Sequence, residues 1–172
     1  IIYDIGEARF LTSDNGFDIY FKRKCRLKIL SEAGLEYAEI EVPLYHNAIE
    51  SEYIVDFKAT CHNMENKQII ITETEKRDLF EEKINNNWIR KKIALSGAKE
   101  GSVIDFEYTV SSPFVFNFHD WEFQHEIPVV YSEYNSYMIP FYSYSYIIIG
   151  TNKLDDYQKL EKKGISNNFR GI

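Results

Sequence analysis

The chain has 172 residues and carries 27 Asp and Glu against 20 Lys and Arg, so its formal net charge at pH 7 is -7. That charge argues against nucleic acid or an anionic membrane as the main partner, because both would repel the protein on average. Aromatic residues make up 16% of the chain while Gly and Pro number only 8 and 4, a composition that favours strands over long helices.

The first thirty residues predict a hairpin of two long strands. Residues 3–13 form the first strand, and Asn15-Gly16 predicts a tight turn because both residues tolerate positive φ angles. From Phe17 to Ile29 the odd positions are largely apolar, which indicates a buried face. The even positions form a basic stripe that consists of Lys22, Lys24, Arg26 and Lys28.

The basic stripe has two interpretations. It could bind an anionic glycan or the acidic patch of a partner protein. Alternatively, its cations pair across the sheet with outward carboxylates of neighbouring strands. Opposite charges commonly face each other on sheet surfaces, so we favour pairing. The carboxylates with suitable alternation are Glu39, Glu41, Asp105 and Glu107.

Alternating patterns continue through the middle of the chain. Residues 74–83 fit neither a strand nor a helix period well, and they predict a strand or one short helix. The clearer predicted strands are 37–44, 49–61, 68–72 and 88–95. Within 49–61 the inward face is assigned to Tyr53, Val55, Phe57, Ala59 and Cys61.

The sharpest alternation lies between residues 101 and 110 and predicts a half-buried strand. Two further strands are predicted at 121–128 and 131–140, each ending at a proline that cannot donate to a central ladder. The inward face of the predicted strand at 101–110 consists of Ile104, Phe106, Tyr108 and Val110.

A row of tyrosines, Tyr142, Tyr144 and Tyr146, follows on one face of the chain. Tyrosine can wall a core while its hydroxyl reaches water, or it can offer a flat platform for a sugar ring or a partner protein. Strand aromatics pack against their neighbours by default, so we favour burial. The tyrosine row and the basic stripe are nevertheless the two candidate binding surfaces.

The end of the chain predicts a different kind of segment. Residues 153–163 are polar with apolar side chains three positions apart, which indicates a short surface helix or a linker. We therefore predict a domain at 1–150 and a linker, or the start of a following segment, at 151–172. Because a strand pattern is already under way at Ile1, we expect a piece of a longer protein. No apolar run has the roughly 18 residues of a transmembrane helix.

Together these elements predict an all-β fold. The expected architecture is an antiparallel β-sandwich, either immunoglobulin-like or with more strands, and with at most one or two short helices. A domain of this length buries about two-thirds of its unfolded surface, so it needs no disulfide or metal for stability.

Several short motifs in order carry a resemblance to a known family. The motifs are Cys25 to Gly34, Gly97 to Thr109, Trp121 to Val129, Ser132-Glu-Tyr134 and Ile139-Pro140. In this order they resemble an uncharacterised bacterial all-β domain that lies N-terminal to transglutaminase-like domains in exported proteins. The resemblance spans most of residues 3–149.

The resemblance implies an accessory module with no catalytic residues of its own. Such a module would position or regulate a downstream transglutaminase-like domain of the same chain. The resemblance also implies export, to the periplasm or the cell surface. The alternative function is a module that binds a carbohydrate or a protein through an aromatic sheet face.

Neither cysteine fits a catalytic nucleophile, which needs exposure and a low thiol pKa. Cys25 and Cys61 are both in phase with the inward sets of their strands, so we expect two buried thiols. A disulfide between them stays open, because an exported protein can form one and the sequence does not give their separation.

The remaining polar residues predict no catalytic, metal or cofactor site, and we expect the protein not to be an enzyme. There is no phosphate-binding loop and no nucleophile elbow in the sequence. The alternating carboxylates near Asp105 and Glu122 fit a solvated sheet face better than a glycosidase acid–base pair. The four histidines lack the spacing of a zinc or iron site. They are His46, His62, His119 and His125.

Overall fold

A computed structural model of the chain describes residues 1–14, 16–116, 118–140, 144–145, 147–150, 154–160 and 166–171. It confirms the predicted all-β fold, since the described residues form eleven strands in two sheets, with two short 3-10 helices. Among the described residues no helix is long and apolar enough to cross a membrane.

The strands follow one another closely along the chain. The 3-10 helices are Glu32–Ala38 and Lys76–Asp78. The strands are β1 Tyr3–Ser13, β2 Gly16–Lys28, β3 Glu39–Tyr45, β4 Tyr53–Glu65, β5 Gln68–Glu75, β6 Phe80–Lys83, β7 Trp88–Ala94, β8 Val103–Ser112, β9 Ser132–Tyr137, β10 Asp156–Leu160 and β11 Ser166–Gly171.

The larger sheet has the strand order β10-β11-β9-β1-β2-β8-β4-β5. Adjacent strands in this sheet pair antiparallel, except that β1 and β9 pair in parallel. The smaller sheet has the order β3-β7-β6 and is antiparallel. The connection from β8 to β9 therefore has to pass β2 and β1 before it reaches the far side of β1.

One hydrophobic core joins the two sheets. Inward side chains of β3 from the smaller sheet belong to the same buried cluster as those of β2, β4 and β8 from the larger one. Burial of alternate side chains on both inner faces is the arrangement of a β-sandwich. The buried members of β3 are Ile40, Val42 and Leu44, and those of β2 include Ile19, Phe21, Cys25 and Leu27.

The N-terminal hairpin forms as its sequence predicts. Ser13 pairs with Gly16, whose φ of 124° is a conformation that side chains rarely adopt. Alternation along β2 then sends Phe21 and Cys25 inward and leaves Lys24 exposed. The alternation and the glycine turn therefore predict this hairpin correctly.

The prediction for 49–61 was wrong in its first half. β4 begins at Tyr53, and its register with β8 shifts between Ile54 and Asp56. This bulge reverses the alternation, because one extra residue on a strand turns the following side chains to the other face. Ile54 is buried while Tyr53 and Val55 are 52% and 40% exposed, and the predicted phase resumes at Phe57.

Residues 121–128 were predicted as a strand but belong to neither sheet. Their side chains still alternate between half-buried and exposed, from Trp121 to Pro128. The sequence pattern reports which side chains face the protein, and it does not report whether the backbone has a strand partner.

Two poorly patterned segments also form strands. Residues 74–83 contain the end of β5, one 3-10 turn and β6. In 153–163, predicted as a helix or a linker, the described part includes β10. Both β10 and β11 follow residue 150, and β11 pairs with β9 of the larger sheet.

The cysteines are free and buried. Cys25 pairs in register with Phe106 on one side of β8, and Cys61 pairs with Ile104 on the other side. Two strand spacings therefore separate them, about 10 Å, whereas the Cα atoms of a disulfide lie within about 7 Å. The disulfide that the sequence left open is not formed, because β8 lies between the two thiols.

We expect both thiols to react slowly in the native protein. Burial raises the pKa of Cys25 to about 12, so little thiolate forms at neutral pH. An aromatic disulfide reagent should label Cys25 and Cys61 rapidly only after denaturant is added. Rapid labelling of either residue in the native protein, followed by mass spectrometry of the peptides, would contradict their burial.

Candidate functional site

The described residues of the segment between β8 and β9, 113–116 and 118–131, cross the inner face of the larger sheet. The segment connects β8 to β9, which lie on opposite sides of the β1–β2 hairpin, and its contact with the buried Phe21 places it on the inner face. Within this crossover, the His119 ring stacks on Phe21 of β2 with 4.7 Å between centroids, and the Trp121 ring stacks on Tyr134 of β9 at 5.5 Å. These contacts place polar and aromatic side chains between the two sheets.

A close contact with Gly6 and a hydrogen bond to Ser132 hold the Trp121 side chain in position. A Cβ atom at Gly6 would lie 2.6 Å from the Trp121 ring, so β1 needs glycine at the point where the indole covers it. The indole Nε1–H donates to Ser132 Oγ at 3.1 Å. The crossover is therefore fixed against both β1 and β9.

A cavity of about 420 Å³ lies between the sheets beneath the crossover. The larger sheet contributes Asp4 and Arg23 to its wall, the smaller sheet contributes Trp88, and the crossover contributes His119 and His125. Its size falls within the range of small-molecule sites, and titratable groups gathered in a cleft are typical of functional sites.

Asp4 is the most deeply buried charge in the cavity wall, with a relative exposure of 1%. Arg23 Nε donates to its Oδ1 at 2.8 Å and Arg23 Nη2 to its Oδ2 at 2.6 Å. His125 Nε2 lies 3.0 Å from Oδ2, and His125 Nδ1 lies 3.2 Å from Glu122. The Asp4 carboxylate on β1 therefore contacts both β2, through Arg23, and the crossover, through His125.

The contact between Asp4 and Arg23 also shifts the pKa of each of the two side chains. Burial raises the pKa of Asp4, but hydrogen bonds from His125 and Arg23 outweigh burial, and the net pKa is lowered. Burial lowers the pKa of Arg23, whereas the hydrogen bond to Asp4 raises it and prevails. Each charge therefore stabilises the other in its ionised form.

Glu52 and His119 form a second polar pair in the wall of the same cavity as Asp4 and Arg23. Glu52 is buried, and its Oε2 accepts the backbone N–H of Tyr45 at 2.8 Å. Its Oε1 lies 3.7 Å from His119 Nε2. Burial lowers the pKa of His119 although Glu52 and Asp120 act in the opposite direction. His119 Nδ1 is buried without a hydrogen-bond partner among the described residues.

The two histidines of the cavity wall lie beside carboxylates. None of the hydrogen bonds found in the described ranges joins a serine or cysteine to His119 or His125, as nucleophilic catalysis requires. Within the same ranges, no cluster of three or more His, Cys, Asp or Glu could hold a metal ion. Carboxylates, imidazoles and aromatic rings around a cavity can recognise a polar small molecule.

The basic stripe is paired as the second interpretation predicts. Lys22 and Lys24 both contact Glu107, at 2.7 and 2.9 Å, and Arg26 forms a two-pronged pair with Asp105. Lys28 is exposed at the end of β2.

Two of the carboxylates proposed for the stripe pair elsewhere. Glu39 contacts Lys92 and Glu41 contacts Arg90, both within the smaller sheet. The sequence pattern had placed these carboxylates on an outward face correctly, but it could not assign their strand to the other sheet.

Tyr144 is half-buried in the described structure. Its ring packs on Phe118 at 4.8 Å and on Phe10 at 5.9 Å, and its hydroxyl donates to the carbonyl of Val115. These contacts are those of an aromatic side chain that packs against its neighbours, as the sequence analysis favoured for the tyrosine row. Tyr142 and Tyr146 lie outside the described residues.

Sequence reasoning did not identify the cavity residues. Asp4, Glu52 and His119 come from three distant segments, and the alternation of 121–128 was taken for a solvated strand. One signal was present: Arg23 occupies an inward position of β2, and a charge at an inward position needs a buried partner.

Comparisons with known proteins give one structural likeness. No family model and no curated protein sequence matches the chain. Among solved structures, the crystal structure of a putative protease from Parabacteroides distasonis matches with a TM-score of 0.65 and 12% sequence identity. The match covers 99% of this chain and 35% of that one, so the chain spans about a third of that protein's length. At this identity the likeness shows a shared fold alone.

We expect Asp4→Asn to destabilise the domain by about 3 kcal/mol, because it leaves the part-buried Arg23 guanidinium without its countercharge. Asp105→Asn is a matched control, since Asp105 forms the same two-pronged pair with Arg26 on the exposed face. The control should cost about 1 kcal/mol or less. Urea unfolding of the two variants measures the difference, and equal losses would contradict the role assigned to burial.

The lowered pKa of His119 predicts a pH dependence of stability. An unfolded histidine takes up a proton below its ordinary pKa of about 6.5, while the buried one does not, so acidification favours the unfolded state. The free energy of unfolding should fall between about pH 7.5 and 5.5 in the wild type, and less steeply in His119→Gln. His46→Gln is the control. Parallel curves for the wild type and His119→Gln would rule out a buried neutral imidazole.

Proposed function

We propose that the chain is a non-catalytic accessory β-sandwich module of an exported bacterial protein. In this proposal the module positions or regulates a transglutaminase-like domain that follows it in the same polypeptide. The observation that carries the proposal is the match of 99% of this chain to 35% of a longer chain described as a putative protease. A fold that recurs as one part of a larger protein is suited to an accessory role.

The places of the resembling motifs in the fold support the proposal. The run from Trp121 to Val129 forms the end of the crossover, and Ser132-Glu-Tyr134 lies on β9. The two motifs contact each other, because Trp121 donates to Ser132 and stacks on Tyr134. Two of the five resembling motifs therefore contact each other, and their Trp121 lines the cavity.

The positions of the cysteines also support a module without a nucleophile of its own. Cys25 and Cys61 lie on inner-face positions of the larger sheet, and both are 1% exposed. A catalytic cysteine needs a lowered thiol pKa and access to substrate. In the proposal, the nucleophile belongs to the following domain.

The alternative function, binding of a carbohydrate or a protein through an aromatic face, requires exposed rings. Tyr144 is half-buried against Phe118 and Phe10, and its hydroxyl is already used. The contacts of Tyr144 therefore favour the accessory role over a tyrosine platform.

Reading the coding sequence on both sides of this chain tests the proposed function. We expect a signal peptide upstream of Ile1, and downstream of Ile172 a Cys, His and Asp set in a transglutaminase-like context. An open reading frame without a transglutaminase-like domain would refute the accessory role. A frame that has the domain but no export signal would refute the location only.

A further inference from the structure

Glu52 is a buried carboxylate with an unused oxygen. The residue is 7% exposed, and Oε2 is occupied by the Tyr45 N–H. The partner of Oε1 among the described residues is His119 Nε2 at 3.7 Å, which is beyond hydrogen-bond distance. Oε1 is not completely enclosed by protein atoms, and Glu52 lines the cavity, so this oxygen can accept a hydrogen bond from a ligand that replaces water.

Two other carboxylates of the cavity wall are paired with arginine. Asp4 pairs with Arg23 and Glu41 with Arg90, whereas the exposed Asp120 has no lysine or arginine partner among the described residues. No salt bridge between Glu52 and a lysine or arginine occurs in the part of the chain that the structure describes. Its neighbour His119 is held towards the neutral form by burial. Glu52 is therefore left without a lysine or arginine partner inside the cavity, among the described residues.

The rest of the cavity wall suits an organic cation with an apolar body. Trp88, Phe118 and Trp121 line the cavity with aromatic rings, and the Arg23 guanidinium already lies over the Trp121 ring. Aromatic faces attract cations electrostatically, and they also bury the apolar part of a ligand. A volume of about 420 Å³ accommodates a molecule of the size of a small aromatic amine.

We propose that the cavity between the sheets binds a small molecule that carries a primary ammonium group on an apolar or aromatic body. The ammonium donates to Glu52 Oε1, and the body lies among the aromatic side chains of Trp88, Phe118 and Trp121. This inference does not rest on the accessory role, since it concerns the cavity of this domain whatever follows the domain in the chain.

Three probes of the same shape test the proposal. Benzylamine carries an ammonium group at neutral pH, benzyl alcohol is neutral, and benzoate is an anion. The chain has two tryptophans, Trp88 and Trp121, and both line the cavity, so their two indole N–H signals in a nitrogen–proton NMR spectrum report on it directly. We expect benzylamine to shift both signals with a dissociation constant about tenfold below that of benzyl alcohol, and benzoate to shift neither.

Two glutamate variants locate the ammonium group. Glu52→Gln keeps the side-chain shape and an oxygen for the Tyr45 N–H, but it removes the charge, and it should weaken benzylamine binding about tenfold. Glu41→Gln is the matched control, because Glu41 also lines the cavity and already pairs with Arg90. Benzylamine binding to the control should stay within about twofold of the wild type.

Each contrary result overturns the proposal. It fails if benzylamine shifts neither indole signal, if benzyl alcohol binds as tightly as benzylamine, or if Glu52→Gln binds benzylamine as the wild type does. It also fails if NMR shows a doubly protonated His119 ring at pH 7, because Glu52 would then already have its cation. Should Glu52→Gln not fold, the three probes on the wild type decide. None of these results depends on the neighbouring domain.

Discussion

The space between the two sheets depends on the buried pair of Asp4 and Arg23. Each charge would be strongly unfavourable alone in this position, and each is made tolerable by the other through two parallel hydrogen bonds. The Arg23 guanidinium also lies over the rings of Phe106 and Trp121, at 5.6 and 5.7 Å. His125 adds the crossover to this arrangement. A charged pair that strands β1 and β2 hold in place thus determines where an irregular segment docks.

The sequence predicts those parts of the fold that depend on neighbours in the chain. The β1–β2 hairpin and the alternation of β8 follow from a period of two and a turn that contains glycine. Val55 shows one limit, since a bulge is set by pairing with β8 and leaves no mark in the alternation. Residues 121–128 show another, because their alternation is real while their backbone has no place in a ladder. β10 was missed because its polar sequence has almost no strand signal.

The candidate site is harder to predict than the fold. Pairing of Lys22, Lys24 and Arg26 with carboxylates could be expected, because it requires only that strands of opposite charge be neighbours. The cavity requires that Asp4 meet His125 and that Glu52 meet His119, across sequence separations that no local pattern spans. The inward position of Arg23 signalled a buried countercharge without identifying it.

The parallel pairing of β1 with β9 has a consequence for the order of folding. β1 and β2 are joined by a tight turn and β4 and β5 by another, so each hairpin closes a short loop at small entropic cost. β9 can join β1 only after nearly the whole chain between Asp4 and Ser132 has been brought together. Such non-local contacts slow folding. We expect the hairpins to form first and the crossover to close last, so that the cavity is completed at the final step, when the sheet gains β9.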